Sequence, residues 1–346
     1  MKIEFEKIWR HEDLFVKSFD ECTGCIKAVL KEAEIILQSP PYTPPEFDVK
    51  MAAVPDEIYS VKRNLFSTLF QSVYHLLKIE PQRRELYCKL NYLFRIWVTS
   101  ADNLLDNEDK VVVPIDMGGS SRVMRQVVSI MLADRIMNNI TGQAVDNKVL
   151  SQAQASVIWH KSLQILLPSA AEEASEENGI TNRPGGEYVL NTIHKLKTGL
   201  LFHIPFLGPD NIEDGLDKDI LALCKDGLMS FGIGCQILDD IRDIAKDHIE
   251  ARHNYVLSLM YADNPGYVKK LIEVGPKIDV SSNIYSMFPD VVYPAANKAM
   301  ELLTGGLLSL DGAGLGINKT AAIVLSYGMF ETLGVGELIN GATFKQ

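Results

Sequence analysis

Apolar residues recur along this chain at the three- and four-residue intervals of helix faces, and almost nowhere alternate as a half-buried strand requires. The pattern predicts an N-terminal helix over residues 12–37, then a proline-rich connector, Ser39-Pro40-Pro41-Tyr42-Thr43-Pro44-Pro45. Helical patterns follow over 56–78, 82–109, 119–140, 147–178, 185–206 and 215–248. Pro81, Pro114, Pro184 and Pro209 punctuate them as breakers or first-turn residues. From about 252 to 340 the pattern predicts shorter helices, broken at Pro265, Pro276, Pro289 and Pro294. Val111-Val112-Val113 is too short to build a sheet on. The predicted class is all-α, and with no internal repeat or second-domain pattern, residues 1–346 read as a single domain.

Composition narrows the partners. With 47% of its 346 residues hydrophobic the chain can bury a sizeable core, and a net charge of −11 argues against nucleic acid and anionic membrane as partners. No run has the length of a membrane span, and Met1-Lys2-Ile3-Glu4-Phe5-Glu6-Lys7 lacks the apolar centre of a signal peptide. The five cysteines (22, 25, 88, 224, 235) are an odd, scattered set that suits a reducing cytoplasm. Cys22-Thr23-Gly24-Cys25 has no second pair and no neighbouring histidines, and is assigned no chemistry.

Two acidic clusters change the picture. Asp102, Asp106 and Asp109 are spaced to share one helical face, and so are Asp239, Asp243 and Asp247, with Asp240 beside them. Stacked like charges repel by a few tenths of a kcal/mol per pair, roughly, so something should offset them. Either cluster alone also reads as a solvated face. The second, however, ends the apolar stretch Phe231-Gly232-Ile233-Gly234-Cys235-Gln236-Ile237-Leu238, where free carboxylates are out of place. A hard divalent cation bridging carboxylates to a phosphate explains both clusters. Two such faces turned toward each other would clamp a diphosphate.

Lys197 and Thr198, in His194-Lys195-Leu196-Lys197-Thr198-Gly199, can offer a cation and a hydroxyl to phosphate, although an amphipathic helix with lysines in water explains them equally. Lys62-Arg63 is a second basic pair, ahead of Phe66, Phe70 and Tyr74. Arg242 reads as a structural counter-ion inside the second cluster. The run Glu172-Glu173-Ala174-Ser175-Glu176-Glu177 reads as a solvated helix end, and Gly312-Ala313-Gly314-Leu315-Gly316 as a helix-breaking turn.

Gly232-x-x-x-Gln236-x-x-Asp239-Asp240-x-x-Asp243 resembles the second aspartate-rich motif of the trans-isoprenyl diphosphate synthases. Lys197-Thr198 is similar to that family's Lys-Thr motif, and Asp102-x-x-x-Asp106 to its first aspartate-rich motif, in the same order over about residues 55–255. Residues 1–50 precede this core as the N-terminal helix and connector. The resemblance implies the class I isoprenoid synthase fold, one helical domain around a deep apolar cavity. It also implies a prenyl diphosphate substrate, a homodimer, and Mg²⁺, three ions, held by Asp102, Asp106, Asp239, Asp240, Asp243 and Asp247. Lys62, Arg63, Lys197, Thr198 and Gln236 would then bind substrate. Trp97, shortly before Asp102, and Phe202 would line the cavity, with Phe66, Phe70 and Phe231 as further candidates, although aromatics on apolar faces are commonly core.

Departures from the family pattern shape the expected activity. Asn103 stands where the first motif has its second aspartate, and Val111-Val112 where chain-elongating members have an Arg-Arg pair. The upstream Gly-Lys-x-x-Arg element is reduced to Val61-Lys62-Arg63-Asn64-Leu65. Each lost charge-assisted contact weakens a second diphosphate site by about 1.5–3 kcal/mol. The leading expectation is therefore a class I terpene synthase that ionises one C10–C20 allylic diphosphate and lets the cation cyclise or eliminate. The alternatives are a prenyltransferase that adds isopentenyl diphosphate, and a catalytically silent partner subunit.

Overall fold

The computed structural model describes residues 13–118, 121–263 and 265–340. Among them the all-α expectation holds: the strands are the two-residue β1 (Lys50–Met51) and β2 (Ile115–Asp116), antiparallel with Lys50 opposite Asp116 and Met51 opposite Ile115. The chain divides into two compact units. The first runs to Trp159 and takes back Leu207–Leu216; the second comprises His160–Phe206 and the chain from Asp217 onward.

The first unit begins with α1 (Asp13–Ile36), close to its predicted bounds. The connector's prolines withhold backbone donors, and the chain regains helix at α2 (Val61–Leu76), where the Ser60 side chain caps the Arg63 amide. Pro81 opens α3 (Pro81–Leu105) at a position whose N–H would be unpaired anyway. Ser121 caps α4 (Arg122–Asp146), accepting from Met124 N at 3.2 Å. Leu69, Val73 and Tyr74 of α2, Leu93 and Phe94 of α3 and Ile136 and Met137 of α4 are all at most 1% exposed. Each such side chain contributes about 1.5–3 kcal/mol by leaving water. Helix α5 (Gln152–Glu176) leaves this unit after Trp159.

In the second unit, residues 186–206, predicted as one helix, change winding three times. An α turn, α6 (Gly186–Tyr188), leads into a π-helical segment (Val189–Ile193), then α7 (His194–Lys197), then a 3₁₀ segment (Gly199–Phe206). Such widened turns occur chiefly where function re-aims side chains. The short α8 (Leu207–Asn211) returns to the first unit. Asp217 caps α9 (Lys218–Arg242), whose last residue is followed by Asp243 at φ −96°, ψ 18°, and then by α10 (Ile244–Ile249). The predicted helix over 215–248 is therefore interrupted at the second acidic cluster.

Helices α11 (Tyr255–Asp263), α12 (Pro265–Val274), α13 (Pro289–Gly312) and α14 (Lys319–Thr332) complete the unit. The expected break at Pro294 is corrected: it lies inside α13, which continues for 24 residues. So near the helix start, the missing N–H removes a single bond, to the Asp290 carbonyl. Gly314 and Gly316, at φ +105° and +80°, form the turn expected after Gly312.

The glycines of α9 let α13 approach it backbone to backbone. A Cβ on Gly227 would stand 2.8 Å from the Gly306 oxygen, and one on Gly306 2.5 Å from the Gly227 oxygen. Leu228, Phe231 and Leu238 of α9, with Ala299 and Leu303 of α13, are at most 1% exposed. By length and hydropathy α9 could cross a membrane, as a buried core helix also could. Its apolar residues pack on α13, as in the core helix of a globular protein. The C-terminal ninety residues, which carry no motif, thus back the helix that bears the second acidic cluster.

Candidate active site

The second unit gathers Thr198, Gln236, His194 and the aspartates of α9 and α10. Gly232 makes room for Phe202, whose ring would lie 2.5 Å from a Cβ at that position; Phe202 also contacts Phe231, ring centroids 6.3 Å apart. Both aromatics are buried. Four residues on, Gln236 accepts from the Thr198 hydroxyl and donates to Asp240 at 3.0 Å. Asp240 is 2% exposed and also accepts from His194 Nε2 at 2.8 Å and from the Tyr255 amide. Asn254 donates to the Asp240 backbone oxygen at 2.7 Å and to the Asp247 carboxylate at 2.8 Å.

This geometry separates residues that the sequence grouped together. Asp240 was expected among the metal ligands, but both of its oxygens are engaged by protein donors in a buried site, and it acts as a tie between α9, α7 and the start of α11. Asp239 and Asp243 instead face partly outward, with side chains 38% and 21% exposed. Arg242 pairs with both, placing two nitrogens 2.7 Å from the Asp243 oxygens. Partial burial pushes the Asp239 carboxyl up to about 6; Arg242 opposes this, and the neighbouring Asp243 and Asp240 add to it. Burial next to Asp240 likewise holds the Asp247 carboxyl well above its ordinary range. Asp239 and Asp243, one helical turn apart and already sharing the Arg242 cation, carry the oxygen donors that suit a hard divalent cation.

Lys197 lies at the end of α7, and its ammonium sits 2.7 Å from Glu176 and 3.1 Å from Glu173. Burial alone would lower its pKa, but Glu176, Glu173 and Glu172 outweigh that and hold it well above the usual value. The solvated reading of the run 172–177 is therefore corrected. Glu172 and Glu176 are 4% and 0% exposed, and only Glu177 of its four glutamates stands in water. Their spacing was the missed signal, since residues one turn apart share a face. His253 lies beside both, and its imidazolium is held at about 9: burial lowers it, and Glu172 and Glu176 raise it further. The same contacts hold the Glu176 carboxyl down at about 2 against the opposing effect of burial, with His253 and Lys197 stabilising its charge.

In the first unit, α3 ends at Leu105, and Asn107 takes a left-handed φ of +54°. Asp102 and Asp106 are exposed at this helix end. Asp109 does not continue their face, because the helix has already ended; it pairs with Arg125 at 3.2 Å. Asn103 is 3% exposed and clasps the following loop, donating to the Lys110 oxygen at 2.9 Å and accepting from its amide at 3.0 Å. Trp97 donates its indole N–H to the Ile130 carbonyl at 3.1 Å and meets Phe94 edge-on, which ties α3 to α4.

Lys62 is exposed, whereas Arg63 donates to the carbonyl of Val111. Arg95, not singled out from the sequence, lies nearby. It donates to Asn64 at 2.8 Å and its guanidinium is 5.9 Å from the centre of the Tyr92 ring, while the Tyr92 hydroxyl donates to the Val112 carbonyl. Among the described residues, neither arginine has a carboxylate partner. Burial lowers the Arg95 pKa. The signal for Arg95 was a lone charge within Tyr92-Leu93-Phe94-Arg95-Ile96-Trp97, a run too apolar for a solvated side chain. Arg63 of α2 thus brings a cation to the 111–112 segment, which carries none itself.

No protein-family model and no curated protein matches the sequence. Solved structures do match. The geranylgeranyl pyrophosphate synthase from Lactobacillus brevis is similar at 14% identity and TM-score 0.56, over 91% of this chain and 96% of that one. The geranyltransferase from Legionella pneumophila is similar at 15% and 0.52, over 92% and 97%. The polyprenyl synthetase from Streptomyces coelicolor A3(2) is similar at 13% and 0.51, over 91% and 98%. At such identities the likeness defines the fold, and it is that of the isoprenyl diphosphate synthases.

Proposed function

We propose that this protein is an enzyme of prenyl diphosphates, and that it joins an allylic diphosphate to isopentenyl diphosphate. The observation that carries the reading is Arg63, which has no carboxylate partner among the described residues and donates to the Val111 carbonyl, in the segment whose own arginines are missing, with Arg95 bonded to the neighbouring Asn64. The two arginines offer a second diphosphate the charge that the sequence alone had seemed to lack. The fold shared with the synthases and the geranyltransferase named above supports the same choice.

Asp239 and Asp243 in one unit, and Asp102 and Asp106 in the other, would each offer carboxylates to Mg²⁺ in this reading, with three ions implied by the family resemblance. The bound metal supplies the positive charge that stabilises diphosphate as a leaving group. Arg242 is paired with Asp239 and Asp243 and would give up those oxygens to a divalent cation. Thr198 offers its hydroxyl to a phosphate oxygen, and Lys197, held by Glu176 and Glu173, would leave them to offer its ammonium. The His194–Asp240–Gln236–Thr198 chain holds the threonine side chain, whose hydroxyl donates to Gln236 and would turn from it to donate to phosphate. Phe202 and Phe231 present apolar, aromatic faces suited to a carbocation. The C–O bond breaks with its electron pair going to diphosphate, and the double bond of isopentenyl diphosphate attacks the allylic carbon with loss of a proton.

The terpene synthase reading stands second, supported by Asn103 and by Val111-Val112. The test is incubation with Mg²⁺ and geranyl, farnesyl or geranylgeranyl diphosphate, with and without isopentenyl diphosphate. A longer diphosphate formed only with isopentenyl diphosphate supports the first reading. Hydrocarbon or terpene alcohol from one allylic substrate alone replaces it with the second, and no turnover in any tube favours a silent subunit.

A further inference from the structure

Helix α5 and the turn before α11 bring together ligand atoms that the aspartate clusters do not use. Glu172 and Glu176 lie one helical turn apart and are almost wholly buried. His253 Nδ1 is 3.1 Å from an oxygen of Glu172 and 3.3 Å from an oxygen of Glu176. All three ligand atoms lie within 4.8 Å of one another. The second oxygen of Glu172 is buried and has no hydrogen-bond partner. Leaving a carboxylate oxygen in that state costs about 1–3 kcal/mol, so a network built only for stability would have satisfied it.

The two spacings from His253 fit a tetrahedral ion. Bonds of about 2.0–2.1 Å to nitrogen and carboxylate oxygen put neighbouring ligand atoms about 3.3 Å apart. The two distances from His253 Nδ1 are close to that edge length. The donor types also discriminate among ions. Imidazole with two carboxylates suits zinc, whereas magnesium prefers oxygen donors and retained waters. Lys197 and Arg252 approach the other oxygen of Glu176, and the oxygen facing His253 Nδ1 also accepts from the His253 backbone amide at 2.6 Å.

We propose that Glu172, Glu176 and His253 form a binding site for one divalent transition-metal ion of the Zn²⁺ class, separate from the aspartates assigned to Mg²⁺. On binding, His253 Nδ1 releases its proton to solvent, and its lone pair and one oxygen from each glutamate become ligands. A fourth position remains for water. The site stands whether or not the protein turns over prenyl diphosphates.

The test uses the full chain, stripped with a chelator and titrated with Zn²⁺ against a chromophoric competitor. The expected result is one Zn²⁺ per chain, with binding weakened at least 10-fold by His253→Gln and by Glu172→Gln and unchanged in the Asp239→Ala/Asp243→Ala double variant. Because buried substitutions can unfold the protein, anomalous scattering at the zinc edge from crystals of the unmodified chain provides a second readout. A peak between Glu172, Glu176 and His253 supports the site. Absence of stoichiometric binding, a peak only at the aspartates or at a cysteine, or full affinity in a folded His253→Gln variant would overturn it.

Discussion

The two acidic clusters share a spacing but occupy opposite environments. The second spans the junction of α9 and α10, where Asp240 is buried and Asp239 and Asp243 are half-covered beside Arg242. The first caps the end of α3, with Asp102 and Asp106 exposed and Asn103 turned inward to hold a loop. One cluster divides its carboxylates between a structural task and the chemical one proposed for them. The other gives the structural task to an amide. The difference teaches that aspartates of one motif need not share a role, and that burial and donors, more than spacing, separate the roles.

The sharpest break in this comparison is catalytic. Asp239→Ala or Asp243→Ala is expected to lower Mg²⁺-dependent diphosphate release by about 10³-fold with helical content intact, on the scale of losing charge stabilisation at a leaving group. Asp102→Ala and Asp106→Ala should lower it comparably and leave the urea midpoint almost unchanged, since surface substitutions shift stability by about 0.5 kcal/mol or less. Release assays on the four variants check this. Full activity in the Asp102 and Asp106 variants would confine metal chemistry to the second cluster.

Stability comes next. Asp240→Ala leaves His194 Nε2, the Tyr255 amide and the Gln236 amide without their acceptor in a buried site. A loss of about 3–5 kcal/mol is expected, in the range for breaking a buried charged network. Chemical denaturation measures it, and a change below 1 kcal/mol, roughly the worth of one ordinary hydrogen bond, would mean the network relaxes or is hydrated.

The glutamate network beside this cluster makes stability depend on pH at both ends. Glu176, depressed to about 2 from 4.5, stabilises the fold above the higher value, and that contribution is lost as pH falls through the lower. His253, raised from 6.5 to about 9, stabilises below the lower value, and its contribution is lost as pH rises through the higher. In chelator-containing buffer the urea midpoint should therefore fall between pH 6.5 and 9, and His253→Gln should flatten that limb. An equally steep limb in the variant would assign the loss to other groups.

Much of this was legible in the sequence, and the misses share a cause. Helix periodicity placed α1 through α5, with ends off by up to six residues, because their faces are amphipathic and their starts carry Ser60, Pro81 and Ser121. It did not show the π turn at Val189–Ile193, the interruption at Asp243 or the early end of α3, since tertiary contacts set those. The motif residues were legible as a set, but their division was not. Asp240 and Asp239 are adjacent and chemically identical, and only His194, Tyr255 and Gln236 make one of them structural. Charged residues read as solvated, Glu172 and Glu176, were buried because their partners, Lys197 and His253, come from distant segments. Arg95 went unremarked because its partners are amide and aromatic groups and no carboxylate.

The smallest effect tests the first cluster's own compromise. Asn103 both donates to and accepts from the backbone of Lys110, a pairing only an amide can make. Asn103→Asp restores the family's aspartate and removes the donor. It sets a carboxylate against the Lys110 carbonyl and leaves one accepted hydrogen bond in a site 3% exposed. A loss of about 1–2 kcal/mol is expected, read from the urea midpoint, with the loop 106–110 exchanging its amide hydrogens faster. The neighbouring carboxylates would repel the new charge, so Mg²⁺ should recover part of the lost stability if Asp102 and Asp106 hold it. A variant as stable as the parent without metal would mean that the clasp contributes nothing and that Asn103 is not what keeps this loop folded back.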